Sequence, residues 1–182
     1  QEIDPSCAIC AWGESYALGP NQNEKMSKAA YPKAVAALKR AQRLAGNANG
    51  RERALIDALS LRYGAKFTED RQDLDNAFAD AMIKVQAAYP DDADIATWTA
   101  EAQMNTLRFP WWARDGKANN PRMMDILARL EDVLAKHPDH AGAIHFYIHA
   151  AEGNRAEKAE PFADKLGALM PGAGHMVHMP TH

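Results

Sequence analysis

The helix-pair character of the chain is clearest between Pro138 and Pro171, which reads Pro-Asp-His-Ala-Gly-Ala-Ile-His-Phe-Tyr-Ile-His-Ala-Ala-Glu-Gly-Asn-Arg-Ala-Glu-Lys-Ala-Glu-Pro-Phe-Ala-Asp-Lys-Leu-Gly-Ala-Leu-Met-Pro. Apolar residues recur here at three- and four-residue spacing, which is the period of an amphipathic helix. We therefore predict one helix over Ala141 to Glu152 and a second over Ala156 to Met170.

The same periodicity continues toward the N-terminus. It predicts helices over Pro32 to Leu44, Arg51 to Lys66, Leu74 to Tyr89, Asp92 to Leu107 and Arg122 to Lys136. In the first of these, a proline stands in the first turn and Gly46 follows the end, as is typical of helix termini. No segment shows convincing strand alternation, so the predicted fold class is all-α.

Prolines mark an internal repeat. A helix end, a proline and a new helix follow one another at Pro5, Pro90, Pro138 and Pro171. The last two prolines are 33 residues apart, and the preceding gap of 48 holds a loop insertion over residues 108–120. We predict a single helical-repeat domain over residues 1–182. Because a solenoid normally caps its terminal repeats and neither end here looks capped, the chain is predicted to be a fragment of a longer repeat protein, truncated at both ends.

A helix pair of about 34 residues that ends in proline resembles the tetratricopeptide (TPR) repeat. The resemblance is best from Pro138 to Pro171, where Ala159 and Ala163 stand near the family's small second-helix positions. The family's tryptophan-leucine-glycine signature is absent from every copy. The resemblance implies a TPR-like solenoid of antiparallel helix pairs, and it says little about chemistry.

Three phrases resemble a group of bacterial TPR-containing proteins. They are Cys-Ala-Ile-Cys-Ala-Trp-Gly-Glu from Cys7, Gly-Ala-Ile-His-Phe-Tyr-Ile-His-Ala-Ala-Glu from Gly142, and Pro-Gly-Ala-Gly-His-Met-Val-His-Met-Pro-Thr-His from Pro171. That group has no secure activity. The resemblance therefore implies the fold and the importance of these phrases, and not a reaction.

Charge and hydropathy exclude several classes of partner. The 182 residues carry 24 acidic and 21 basic side chains, for a net charge of −3 and no basic cluster, so no nucleic-acid partner is expected. No run of 18 apolar residues exists, so no membrane span is expected. The start, Gln1 to Pro5, lacks the features of a signal peptide. Export with removal of an earlier leader is compatible with this start, so the compartment stays open.

The histidines are unevenly placed, since all seven lie between residues 137 and 182. His145 and His149 stand seven and eleven residues after Pro138, with a carboxylate three residues further on. The same offsets after Pro171 fall on His178 and His182, and His175 stands three residues before His178. Spacings of three, four and seven keep side chains within about 60° on a helix, so each set shares one helical face.

These two faces predict a metal site. In a TPR-like stack the first helices of adjacent repeats lie side by side along the concave surface, so their imidazoles are expected to converge. The candidate ligands are His145, His149, Glu152, His175, His178 and His182. The same offsets in earlier repeats predict further groove-lining residues, namely Trp12, Tyr16, Asp94, Thr97 and Glu101.

The donor set predicts a divalent transition metal as cofactor. Neutral imidazole suits copper, iron and zinc, and a carboxylate adds charge, so the metal is left open among these three. If the protein is an enzyme, Glu101 or Glu152 is the first candidate for general base. The metalloprotease pattern is absent, because Phe146 and not glutamate follows His145.

Two other functions stay open beside a metalloenzyme. TPR-like grooves commonly bind extended peptides or helices, so the protein could be an interaction scaffold with a peptide or small molecule in its concave groove. It could also store or deliver metal without catalysis. Enzyme status is therefore not assigned.

Cys7 and Cys10 form a C-x-x-C motif with three interpretations. Ala11 follows the second cysteine, which excludes c-type haem attachment. The thiols could join a metal site or form a disulfide, but the favoured interpretation is that both are small residues packing between helices.

Other conspicuous side chains have simpler interpretations. His137 and His140 flank the Pro138 turn and are expected to be solvent-facing or capping residues. Met176 and Met179 are expected to pack against a neighbouring helix. The adjacent Trp111 and Trp112 either roof the groove as a lid or fasten the long loop to the helices.

Overall fold

The computed structural model of the protein describes residues 4–182. Residues 1–3, on which part of the expectation about a leader rests, lie outside the described residues. The described chain forms α1 (Ala8–Ala17), α2 (Tyr31–Leu44), α3 (Gly50–Ser60), α4 (Gln72–Ala88), α5 (Ala93–Met104), α6 (Arg122–Lys136), α7 (Ala141–Ala151), α8 (Ala156–Leu169) and α9 (Gly174–His178), with 3₁₀ turns at Ala45–Asn47 and Met179–Thr181. Within this range the extended pairing is one isolated bridge between Trp112 and Ala118. The all-α prediction is confirmed for the described residues.

Helix boundaries depart from the sequence prediction mainly at two places. The helix predicted to reach Lys66 ends at Ser60, because the amides of Leu61 and Arg62 bond to carbonyls three residues back and tighten the chain. The helix predicted to follow Pro171 is only five residues long, Gly174–His178. Pro180 lacks a backbone N–H to donate to the helix, and the chain continues past His178 as a 3₁₀ turn.

Tertiary contacts divide the chain into two compact units, the first ending at Tyr89 and the second spanning Pro90–His182. In the first unit α1 packs closely on α2, and small residues such as Ala11 and Ala34 are fully buried. Trp12 is 4% exposed, and its indole N–H donates to the carbonyl of Leu55 at 3.0 Å. The guanidinium of the buried Arg62 lies over the rings of Tyr16 and Phe78. These contacts form the core of this unit.

The C-x-x-C motif opens α1. Cys7 is the N-cap residue of the helix and is joined to Cys10 by a disulfide. The buried face of α1 consists of Ala8, Ala11, Trp12 and Ser15. Cys7 is half-buried and Cys10 is exposed, so the favoured interpretation of the cysteines as small residues packed between helices is wrong.

The second unit places α7 at the centre of its helices. α5 contacts α6 and α7, and α7 contacts α6 and α8. After α8, the segment with α9 and the last 3₁₀ turn returns onto α8 and α7. Met179 is fully buried and Met176 packs against the core, as predicted for both methionines. This return of the chain is what brings the last three histidines toward α7.

Over the described residues, none of the helices has both the length and the apolarity that a membrane span needs.

Candidate metal site

The start of α7 is fixed by a histidine cap. Nδ1 of His140 accepts the amide N–H of Ala143 at 3.1 Å, as the capping interpretation predicts. Because Nδ1 accepts, the proton of the neutral ring lies on Nε2, which donates to the carboxylate of Asp94 at 3.2 Å. Asp94, predicted to line the groove, thus connects α5 to the first turn of α7.

The rotation of α7 is set by its buried apolar residues, which include Ala143, Ile144 and Ile148. His145 and His149 lie one turn apart beside this buried stripe, with their ring centroids 4.8 Å apart. The buried Tyr147 adds a polar anchor, since its hydroxyl donates to Glu131 on α6 at 2.9 Å. Burial and this carboxylate raise the pKa of the Tyr147 hydroxyl. The sequence pattern does not identify this anchor, although a tyrosine on an apolar helical face normally needs a partner for its hydroxyl.

The returning C-terminal segment supplies the third histidine. Nε2 of His175 lies 3.0 Å from Nε2 of His145. One ligand nitrogen from each of His145, His149 and His175 can be chosen so that all lie within 4.8 Å of one another. The structure therefore brings three of the six candidate ligands into one cluster, which we call the three-histidine cluster.

The three histidines of this cluster differ strongly in burial. His149 is 7% exposed, His145 is half-buried and His175 is exposed. Nε2 of His149 is buried and has no hydrogen-bond partner among the described residues. Leaving a buried polar atom unpaired costs free energy, so such atoms are uncommon in folded proteins.

The imidazoles on α7 are held in the neutral form. Burial, followed by the positive charge that His149 would carry, lowers the pKa of His145 to about 3. Burial, followed by the charge of a protonated His182, lowers the pKa of His149 to about 4. Both rings are therefore neutral at neutral pH and keep a lone pair for a ligand.

The remaining candidate ligands form a second tier beside the cluster. Nδ1 of His182 lies 3.3 Å from a carboxylate oxygen of Glu152, and the His182 ring centroid lies 5.6 Å from that of His149. The His178 ring centroid is 5.0 Å from that of His182, and Nδ1 of His178 lies 3.2 Å from the hydroxyl of Thr181.

The other predicted groove residues lie within helix packing. Thr97 is buried and its hydroxyl donates to the carbonyl of Ala93 at 2.8 Å. Glu101 is 2% exposed and accepts from the side-chain amide of Asn105 at 2.6 Å. Trp12 and Tyr16 belong to the first unit, where their rings stack with centroids 5.0 Å apart. Of the two candidate general bases, Glu152 contacts His182, a histidine of the site.

The tryptophan loop is fastened to the helices. The indole N–H of Trp112 donates to the carbonyl of Ala150 at 2.9 Å, and the guanidinium of Arg155 lies over the Trp112 ring. The side-chain amide of Asn154 donates to the carbonyl of Gly116 at 2.6 Å. These contacts support the fastening interpretation over the lid, and they secure the end of α7 next to His149.

Comparisons with known proteins add no family to this geometry. No protein-family model, curated protein or solved structure matches the chain. The TPR resemblance stays a prediction, and a functional proposal has to stand on the site itself.

Proposed function

We propose that the second unit binds a divalent transition-metal ion through His145, His149 and His175. The observation that carries the proposal is the convergence of one ligand nitrogen from each of the three histidines within 4.8 Å, and the buried, unpartnered Nε2 of His149 supports it. We further propose that the helices holding this site are TPR-like repeats, which the contact between α5 and α7 supports.

A coordinated ion would pair the orphan nitrogen. Nε2 of His149 has lost its contact with water through burial and gains no protein partner among the described residues. Binding an ion gives this lone pair a strong acceptor, which offsets the cost of burying it. The neighbouring His145 and His175 nitrogens already lie 3.0 Å apart, close enough for one centre to reach both.

The distances fit a small ion with nitrogen ligands. Zn–N bonds are about 2.0–2.1 Å, which places two nitrogens of a tetrahedral site roughly 3.3 Å apart. The three nitrogens lie within 4.8 Å of one another, so the rings have to move closer to share one ion, and His175 on the short helix α9 is the most exposed of the three. Three imidazoles favour zinc, copper or iron over calcium and magnesium, which prefer oxygen ligands.

The second tier gives the site a proton acceptor. Three protein ligands leave a position open, and an ion in such a site supplies Lewis acidity toward a water or substrate there. Glu152, held 3.3 Å from His182, is placed to accept a proton beside His149. Storage or delivery of metal would need only the three ligands, so measured binding is the first test.

The test is metal binding by the full chain, purified without chelator and then dialysed against zinc, copper or iron. We expect about one ion per chain, and an increase in unfolding free energy of about 2.7 kcal/mol when the free ion is a hundredfold above its Kd. The double variant His145→Ala/His175→Ala should lose both effects, because it keeps only one ligand of the three. His137→Ala is the matched control, since His137 is exposed in the same unit.

A double variant that binds as much metal as the wild type would refute the site. So would a wild-type chain that binds no metal and gains no thermal stability from any of the three ions. In that case, capture of a peptide by the helices would become the better hypothesis.

A further inference from the structure

The disulfide between Cys7 and Cys10 does little for the fold. A disulfide stabilises mainly by closing a loop in the unfolded chain, and this effect is smallest for short loops. Here the two cysteines are only three positions apart in the sequence, and both belong to the start of one helix. The sulfurs are also not needed for packing, since α1 buries Ala8, Ala11, Trp12 and Ser15 instead.

The two sulfurs have unequal surroundings. Cys10 is exposed, whereas Cys7 is half-buried at the N-cap of α1. The backbone N–H of Cys10 donates to Sγ of Cys7 at 3.2 Å. The first turn of α1 holds no acidic residue, and the nearby carboxylate of Asp4 is engaged by the amide and hydroxyl of Ser6.

This arrangement stabilises negative charge on Cys7. A neutral disulfide sulfur is a weak acceptor, but a thiolate accepts an N–H strongly, so the bond from Cys10 strengthens as the S–S bond breaks. The positive end of the helix dipole acts in the same direction. Cys7 is therefore the better leaving group, and Cys10 is the more exposed of the two residues.

We propose that the Cys7–Cys10 disulfide is a thiol–disulfide exchange site that oxidises dithiols, with Cys10 as the attacked sulfur and Cys7 as the leaving thiolate. The site lies in the first unit and does not depend on the proposed metal function.

The exchange balances in two steps. A substrate thiolate attacks Sγ of Cys10, the Cys10–Cys7 bond breaks, and Cys7 leaves with the electron pair. The second thiol of the substrate, as thiolate, then attacks the substrate sulfur of this mixed disulfide and releases the Cys10 thiolate. The substrate loses two electrons and two protons and becomes a disulfide, and the protein gains them as two thiols.

The test uses the oxidised full chain with reduced glutathione as a single-thiol probe. After an acid quench, free thiols are alkylated and the two cysteines are mapped by mass spectrometry. Attack on Cys10 predicts glutathione on Cys10 and the alkyl group on Cys7. This product should exceed the reverse one, with glutathione on Cys7, by at least about tenfold. The same reaction in denaturant is the control, and there the preference should disappear because α1 and its N–H bond are lost.

A second measurement separates exchange from a structural role. Dithiothreitol should reduce the disulfide in the folded chain much faster than the chain unfolds, and the Cys7→Ser and Cys10→Ser variants should keep the wild-type melting temperature. Three results would each overturn the proposal: glutathione mainly on Cys7, equal labelling of the two cysteines in the folded chain, or reduction limited by unfolding.

Discussion

Replacing His149 by leucine is expected to stabilise the metal-free protein and to weaken metal binding by at least about a hundredfold. The stabilisation arises because leucine has a similar volume but no unpaired polar atom, and an unsatisfied buried group costs about 1–3 kcal/mol. The loss of binding arises because His149 supplies one of three ligands, and even residues that only orient a ligand change metal affinity by about 10–100-fold. Chemical denaturation in chelator measures the first effect, and metal titration the second.

The opposite signs of the two effects make this substitution informative. If His149 served only packing, its replacement would lower the stability of the protein and would leave metal binding unchanged. His137→Leu is the matched control because His137 is exposed, and it should change neither quantity by much. A His149→Leu protein that is less stable than the wild type and still binds zinc with wild-type affinity would contradict the proposed role of His149.

Acidification is expected to destabilise the metal-free protein by about 2 kcal/mol between about pH 7 and pH 5 through His149 alone. The fold lowers the pKa of His149 to about 4 from 6.5, first through burial and then through the charge of His182. Below pH 6.5 the unfolded state therefore binds more protons than the folded state. The contribution is fully present above the unfolded pKa and is lost as the pH falls toward the folded pKa.

The measurement is the free energy of unfolding against pH in the presence of chelator. His145, with a pKa lowered to about 3 chiefly by burial, should add to the same slope. His149→Leu should show a flatter dependence over this window, since it lacks one of the two groups. A variant with the wild-type slope would show that burial does not hold His149 neutral.

Sequence alone predicts the first four helices of the second unit, α5 to α8, well. α6 matches its prediction at both ends, and α5, α7 and α8 differ from theirs by three residues at most. Each of the four has a proline or a capping residue at one or both ends, and α6 is strongly amphipathic, so local chemistry determines them. The helix predicted to reach Lys66 is too long because tightening after Ser60 and burial of Arg62 are tertiary effects.

Repeat offsets predict which helical face a residue lies on, but not how deeply its side chain is buried. The offsets from Pro138 and Pro171 place His145 and His175 on facing helices, and the structure brings their nitrogens to 3.0 Å. The same offsets place Glu101 and Thr97 on α5, where both are buried. Which side chains end in solvent depends on how closely the neighbouring helices pack, and helical periodicity does not contain that information.

Anchors between distant residues are likewise invisible to a periodicity argument. The Trp112 bond to Ala150 spans 38 residues, and the Tyr147 bond to Glu131 joins α7 to α6. In each case the sequence shows only a polar group on a largely apolar side chain. The partner is fixed by tertiary structure, so the sequence pattern does not identify it.

The central claim is that His145, His149 and His175 share one ion. The most direct measurement is an anomalous difference map from crystals of the full chain grown with zinc, recorded on both sides of the zinc absorption edge. We expect one peak about 2.0–2.1 Å from a ring nitrogen of each of the three histidines. A map with no peak among these rings, or with zinc bound only elsewhere on the chain, would contradict the claim.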